Sequence, residues 1–281
     1  MVVLMANTCA NASSYKVEKV STGYEFTEGP VWSPSGTLLF SDIPENKIHE
    51  MGVGVYRVSS GNSNGLTFDH EGRLIACEHG TRRITRQEKD GSMKVLADRY
   101  YSKRLNSPND AVVKSDGSIY FTDPPYGCPP AERELTFQGV YRIKPDGKLE
   151  LLVKDFVSPN GLCFSPDEKL LYIADSSDLR HIRRFSVTKE GMLTGGEVFA
   201  TVSKDGVPDG IKVDTEGKLY VAGPGGVWIF DTAGKHIDTI PVPETPANIN
   251  WGDSDRKALY ITAKTSIYKV RLRVGGEGSK W

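Results

Sequence analysis

Six stretches of this chain repeat one pattern, and that repeat limits the fold more than any other feature of the sequence. They are GPVWSPSGTLLFSD (Gly29–Asp42), GLTFDHEGRLIACE (Gly65–Glu78), DAVVKSDGSIYFTD (Asp110–Asp123), GLCFSPDEKLLYIAD (Gly161–Asp175), GIKVDTEGKLYVAG (Gly210–Gly223) and NINWGDSDRKALYITA (Asn248–Ala263). Each is a short apolar strand, a polar turn rich in Ser, Pro, Asp and Gly, and a second apolar strand. The turn residues supply the backbone angles that a hairpin needs, while β-branched and aromatic residues suit a buried pleated surface. Further strands follow most copies, as in GVYRIK (Gly139–Lys144) and KLELLVKD (Lys148–Asp155). The copies start roughly 36 to 51 residues apart, a period that fits four-stranded blades and is too long for leucine-rich or hexapeptide solenoids.

Six such units predict an all-β, six-bladed β-propeller with four-stranded blades, a closed form that leaves only short protected edges. The last unit, ending in TSIYKVRLRV (Thr265–Val274), is one strand short, and SYKVEKVSTGY (Ser14–Tyr24) is a spare strand ahead of the first. The N-terminal strand is therefore expected to close the last blade. A two-sheet sandwich accounts less well for six equivalent hairpins. The 281 residues divide into a disordered leader, 1–13, and one propeller domain, 14–281. The leader lacks the basic start and long apolar stretch of a signal peptide, which places the protein in the cytoplasm ahead of secretion. Asn11-Ala12-Ser13 is a glycosylation sequon that matters only if the chain is exported.

Charge excludes several classes of partner. With 35 Lys+Arg against 36 Asp+Glu, no basic stripe is available for nucleic acid or anionic lipid. No apolar run approaches the ~20 residues that span a bilayer. Cys9, Cys77, Cys128 and Cys163 have irregular spacing, and the five histidines form no metal-binding pair, so zinc-thiolate sites and a disulfide framework are not expected. Cys77 and Cys163 fall within strand patterns and read as small buried hydrophobes. A bound metal would be held mostly by oxygen.

The repeat aligns six oxygen-bearing side chains at the start of the inner strands: Glu28, Asn64, Asn109, Asn160, Asp209 and, one place offset, Asn248. In a propeller these positions ring one mouth of the central channel. Any single Asn or Asp there reads first as an Asx turn that satisfies its own backbone. That reading does not cover Glu28, nor two carboxylates facing one another, which repel unless a cation or a shared proton intervenes. Glu28, Asp209, Asn160 and, with less support, Asn109 are the candidate metal ligands. Their oxygens suit Ca²⁺ before Mg²⁺ or Mn²⁺, with Zn²⁺ and Fe²⁺ as further alternatives. Asn64 and Asn109 are candidate substrate contacts. So are His79, a substrate contact or proton relay, and Tyr126, in the Pro-rich insertion Pro124–Gln138, a lid candidate. The second strands of four repeats end in Asp42, Glu78, Asp123 and Asp175, whose regularity favours a structural role in bonding loop amides.

At EGPVW (Glu28–Trp32), NSPNDAVVKSDGSIYFTDPPYG (Asn106–Gly127), SPNGLCFSPDEKLLYIADS (Ser158–Ser176) and PDGIKVDTEGKLYVAG (Pro208–Gly223) the chain resembles the SMP-30/gluconolactonase/LRE family. The resemblance runs from about Tyr24 to Val274. It implies a six-bladed propeller with one divalent cation in the channel, hydrolysing small-molecule sugar lactones. By motif match it puts the metal ligands on Glu28, Asn160 and Asp209, with Asn109 beside them contacting substrate or ligating. Asp209 also matches the proposed general base. Some members carry an arginine two places before the SPND asparagine; here Ser107 stands there, so the family's sugar contacts do not carry over whole. The expected reaction is direct hydrolysis: carbonyl polarisation by the metal and water activation by Asp209, without a G-x-S-x-G nucleophile. Two alternatives remain open, a phosphotriesterase or aryl-esterase on the same scaffold and a non-catalytic calcium-binding propeller.

Overall fold

Each repeat forms the two inner strands of a four-stranded antiparallel sheet, and six such sheets surround a channel. The computed structural model describes residues 15–276 apart from 204; the expected leader and the sequon lie outside the described residues. Blade 1 comprises Thr27–Trp32, Leu38–Asp42, Lys47–Glu50 and Gly54–Val58, and blade 2 comprises Ser63–Phe68, Leu74–Glu78, Arg83–Gln87 and Met93–Ala97. Blade 3 is Ala111–Val113, Ile119–Asp123, Gln138–Ile143 and Leu149–Phe156; blade 4 is Pro159–Phe164, Leu170–Asp175, His181–Val187 and Leu193–Thr201. Blade 5 is Ile211–Val213, Leu219–Gly223, Gly226–Phe230 and His236–Pro241. Blade 6 is Pro246–Gly252, Ala258–Ala263 and Ser266–Arg271, and the N-terminal strand Val17–Thr22 pairs antiparallel with Ser266–Arg271 as its outer strand. The predicted closure by the N-terminal strand is thus present.

The second strands explain why apolar residues run without alternation. Apart from Leu170, every residue of these strands is buried, because a neighbouring blade covers each face of the sheet. Aromatic pairs join blade to blade: Trp32 stacks on Tyr260 at 5.4 Å, and Tyr120 meets Phe164 edge-on at 5.0 Å. Tyr220 meets Trp251 at 5.1 Å, and the Trp251 indole N–H donates to the Val213 carbonyl. Outer strands such as Gly54–Val58 are mostly exposed. Cys77, Cys128 and Cys163 are free and buried. Among the described residues the one helical element is the short 3₁₀ turn Pro130–Glu132, and no helix is long and apolar enough to cross a membrane.

Candidate metal centre and its cavity

The inner strands begin irregularly, and that irregularity aims the ring residues. Glu28, Asn64 and Asn160 are each the second residue of their strand, and Asn248 is the third of its own. The ladder register breaks between Glu28 and Val31, Ser63 and Leu66, Pro159 and Leu162, and Pro246 and Asn248. The repeat predicts these residues just before the strands, and the structure places them inside. The difference has a physical cause: a bulge lets a strand begin pairing while one side chain turns out of the pleat, here into the channel. Asn109 and Asp209 do precede their strands, Ala111–Val113 and Ile211–Val213.

Successive blades interlock at this level. The Gly65 amide donates to the Asn109 carbonyl and the Gly210 amide to the Ala247 carbonyl, both at 2.8 Å. Ser41 Oγ donates to the Asn64 carbonyl and Thr122 Oγ1 to the Asn160 carbonyl, again at 2.8 Å. Glycine is required by these contacts. A Cβ on Gly161 would stand 2.4 Å from the Asp209 carbonyl oxygen; one on Gly29, at φ +51°, would stand 2.0 Å from that of Asn64.

All seven sequence candidates, Glu28, Asn64, His79, Asn109, Tyr126, Asn160 and Asp209, line one cavity of about 400 Å³. Phe26, Ile43, Ser176 and Val207 complete the wall. Three side-chain oxygens sealed from solvent have no hydrogen-bond donor: Asn64 Oδ1, Asn160 Oδ1 and Asp209 Oδ1. The opposite ends of the two carboxamides are held, since Asn160 Nδ2 donates to Ser176 Oγ at 2.9 Å and Asn64 Nδ2 meets His79 Nε2 at 3.1 Å. Glu28 Oε2 accepts the Gly29 amide at 2.6 Å and Asn248 Nδ2 at 3.0 Å. Asn248 is therefore a ring member that holds Glu28 and does not line the cavity.

The electrostatics are those of crowded carboxylates. Burial pushes Glu28 up to about 7 against the pull of the Gly29 amide, and the Asp110 charge adds to the rise. Asp209 is held well above the ordinary range by burial, then by the charges of Glu28 and Asp110. Burial lowers His79 to about 4, so the ring is neutral near pH 7. The Tyr126 phenol is raised by burial and by the Asp209 charge, although the residue as a whole is half exposed at the cavity rim. Buried oxygens without donors beside two carboxylates form a donor set that suits a hard divalent cation.

The neighbouring acids have other duties. Asp42 accepts the Glu25 and Phe26 amides, Asp123 those of Asn106 and Ser107, and Asp175 those of Val157 and Ser158. Glu78 binds Thr81, Arg83 and Thr85. Asp42, Glu45 and His49 bring one ligand atom each within 4.8 Å of one another, but Asp42 is occupied by the two amides and Glu45 pairs with Lys47 at 2.6 Å. That group lies outside the lining of the cavity.

The Pro-rich insertion is pinned down. Ser107 Oγ accepts the Gly127 amide at 2.9 Å, and Cys128 and Leu135 are buried. Buried Arg82 donates to the carbonyls of Leu105, Asn106 and Glu132. Arg104 is directed to the Thr81 carbonyl and not into the cavity. Sequence reasoning missed Arg82, Asp110 and Ser176. Ser176 had a usable signal: Ile43, His79 and Ser176 each follow the last residue of a second strand, and all three face the cavity.

Comparison with known proteins agrees with this architecture. The family described as SMP-30/Gluconolactonase/LRE-like region matches residues 26–265. A gluconolactonase of Zymomonas mobilis is 32% identical over 94% of this chain and 83% of its own length. The solved structure of a gluconolactonase from Xanthomonas campestris is 36% identical, covers 92% of this chain and 90% of its own, and superposes with a TM-score of 0.86. Regucalcin of Xenopus laevis is 29% identical over 89% of this chain and 87% of its own. By sequence match over nearly the whole propeller, the chain belongs to the SMP-30/gluconolactonase/LRE-like family.

Proposed function

We propose that this protein is a lactonase that opens the ester ring of a sugar lactone, assisted by a divalent cation held by Glu28, Asn160 and Asp209, with Asn109 beside them. The observation that carries this reading is the convergence of donor-free buried oxygens and two carboxylates on one cavity. Family membership and the named activity of the Zymomonas and Xanthomonas relatives support the substrate class. Ca²⁺ is the ion that this all-oxygen donor set favours. When bound, such an ion supplies Lewis acidity toward a carbonyl oxygen.

The side chains divide the remaining work. Asp209 Oδ1 faces the cavity without a donor and takes a proton from the attacking water. Water adds to the lactone carbonyl carbon, the ring C–O bond breaks, and the proton held by Asp209 passes to the departing ring oxygen. The product is a hydroxy acid, whose carboxyl group then releases its proton to solvent and leaves as a carboxylate. Asn64 and Asn109 offer polar contacts to sugar hydroxyls, with Phe26, Ile43 and Val207 against the ring's carbon face. His79 fixes the Asn64 carboxamide as a neutral acceptor, and Tyr126 closes the rim. A cavity of about 400 Å³ is of the size that small ligands fill.

The test is Asp209→Ala on a substrate panel of δ-gluconolactone, a γ-lactone, an aryl ester and an organophosphate. Lactone turnover is expected to exceed that of the other substrates in the native protein. It should drop by ~10²-fold or more in the variant, the range for loss of a general base, with circular dichroism unchanged. Full lactone turnover in Asp209→Ala sinks the mechanism, and preferential turnover of the organophosphate transfers it to the esterase alternative.

A further inference from the structure

Four ring residues are followed by glycine, at Gly29, Gly65, Gly161 and Gly210, where the next blade's backbone comes close. Blade 3 has Asp110 in that place. Its buried carboxylate is bonded on one side only: Oδ1 accepts the Ala111 amide at 2.8 Å, while Oδ2, sealed from solvent, has no hydrogen-bond donor. A third carboxylate so close to Glu28 and Asp209 adds to their mutual repulsion. The nearby cation is Lys212, on the inner strand of blade 5. Its ammonium lies 3.9 Å from Asp110 Oδ2, too far for a hydrogen bond but close for a charge pair, and donates to the Ile211 carbonyl at 3.0 Å. It also acts on Glu28 across the channel.

We propose that Lys212 and Asp110 form a fixed ion pair beneath the cavity, a positioning pair that sets the charge of the metal centre. When all three acids are ionised, as a bound divalent cation would require, Glu28, Asp110 and Asp209 carry three negative charges and Lys212 one positive, leaving −2, the charge that one such ion neutralises. Lys212 thus occupies the place where the channel would otherwise draw in a further cation. Lys212 is absent from the lining of the metal cavity and lines instead a separate pocket with Leu66, Val113 and Asn250; it acts on the centre through the carboxylates. This inference rests on the metal reading above, but part of its test does not.

The experiment is a charge cycle on the full chain, using Lys212→Met, Asp110→Asn and the double variant. Ca²⁺ binding is measured by calorimetry and unfolding by thermal melting in chelator. A unit charge acting on a divalent ion over ~10 Å at an effective dielectric of ~40, between protein and bulk water, changes affinity by about tenfold. Lys212→Met, at −3, is expected to bind Ca²⁺ about tenfold more tightly and Asp110→Asn, at −1, about tenfold more weakly. The double variant should return to native affinity. In chelator each single variant should lose ~2–4 °C of Tm, as the partner of a part-buried pair is left alone, and the double variant should recover most of it. Single variants with native affinity and native Tm, or a double variant no better than the worse single one, overturn the proposal. A native protein that takes up no divalent cation refutes the metal reading instead, and the melting cycle then decides whether the pair exists.

Discussion

A carboxyl group closed off from water keeps its proton unless a positive charge faces it, and Glu28 shows this at the scale of one residue. In the metal-free protein burial holds its proton on to about pH 7, whereas the unfolded chain releases it near the ordinary value of 4.5. Between those values the folded state binds the extra proton, so Glu28 makes stability fall as pH rises. His79 acts in the opposite sense: lowered to about 4 when folded and 6.5 when unfolded, it makes stability rise with pH between those values. The measurement is therefore a difference. In chelator, the Tm of Glu28→Gln minus that of the native protein should grow from about pH 5 to about pH 7.5, and saturating Ca²⁺ should remove the trend by stabilising the native carboxylate. A difference independent of pH would show that Glu28 is not held protonated by its surroundings. At this scale the sequence was legible where the repeat marked a column: Glu28, Asn160 and Asp209 stood out because the alignment gave them equivalent places. Asp110 was hidden, since it reads as the first residue of an ordinary strand. Its place where four other ring residues are followed by glycine gains meaning from the packing of Gly65 against it, with a would-be Cβ 2.7 Å from its Cα.

At the scale of the element, the inner strand combines a regular ladder with one bulged residue, and the glycine after that residue makes the arrangement possible. Gly161→Ala places a methyl group 2.4 Å from the Asp209 carbonyl oxygen, so blades 4 and 5 must separate. The expected cost is ~1–3 kcal/mol of stability, the usual range for overpacking. Ca²⁺ affinity should fall as well, because Asn160 and Asp209 lie on the two blades that part. Denaturant melts with and without the ion check both effects; native stability in Gly161→Ala would mean that the close approach is not needed. Hairpins and turns were readable from sequence because apolar runs and turn residues are local signals. The bulges were not, since they depend on which neighbouring carbonyl the chain meets. Arg82 was missed for the same reason: its three carbonyl acceptors come from segments remote in sequence.

For the whole molecule, closure depends on the N-terminal strand and on Glu244. This carboxylate accepts Lys19 Nζ at 3.0 Å, the Thr265 amide and hydroxyl, Ser266 Oγ at 2.6 Å and the Tyr268 hydroxyl at 2.8 Å, joining the first strand to the last blade. Burial raises its pKa, but the bonds from Ser266, Tyr268 and Thr265 outweigh that and hold it well below the usual range. Its contribution is therefore present above the ordinary carboxylate value and is lost as pH falls toward the folded one. Glu244→Ala should cost ~1.5–3 kcal/mol near pH 7, as for loss of hydrogen bonds to a charged group. Hydrogen exchange should speed up first in Val17–Thr22 and Ser266–Arg271; uniform exchange across all blades would show that Glu244 is not the clasp. Closure itself was legible, because one strand was missing from the last repeat and one was spare ahead of the first. The residue that fastens it was not, since Glu244 lies in a link between repeats and has no aligned counterpart.

In the proposed function one oxygen-held cation makes this channel mouth a lactonase centre. Its most direct test is the rate of δ-gluconolactone opening after chelation, followed as Ca²⁺ is returned. Turnover is expected to be lost in chelator and to recover saturably at one ion per chain, with no recovery in Asp209→Ala. Full turnover in the metal-free protein, or none at any ion concentration, would contradict it.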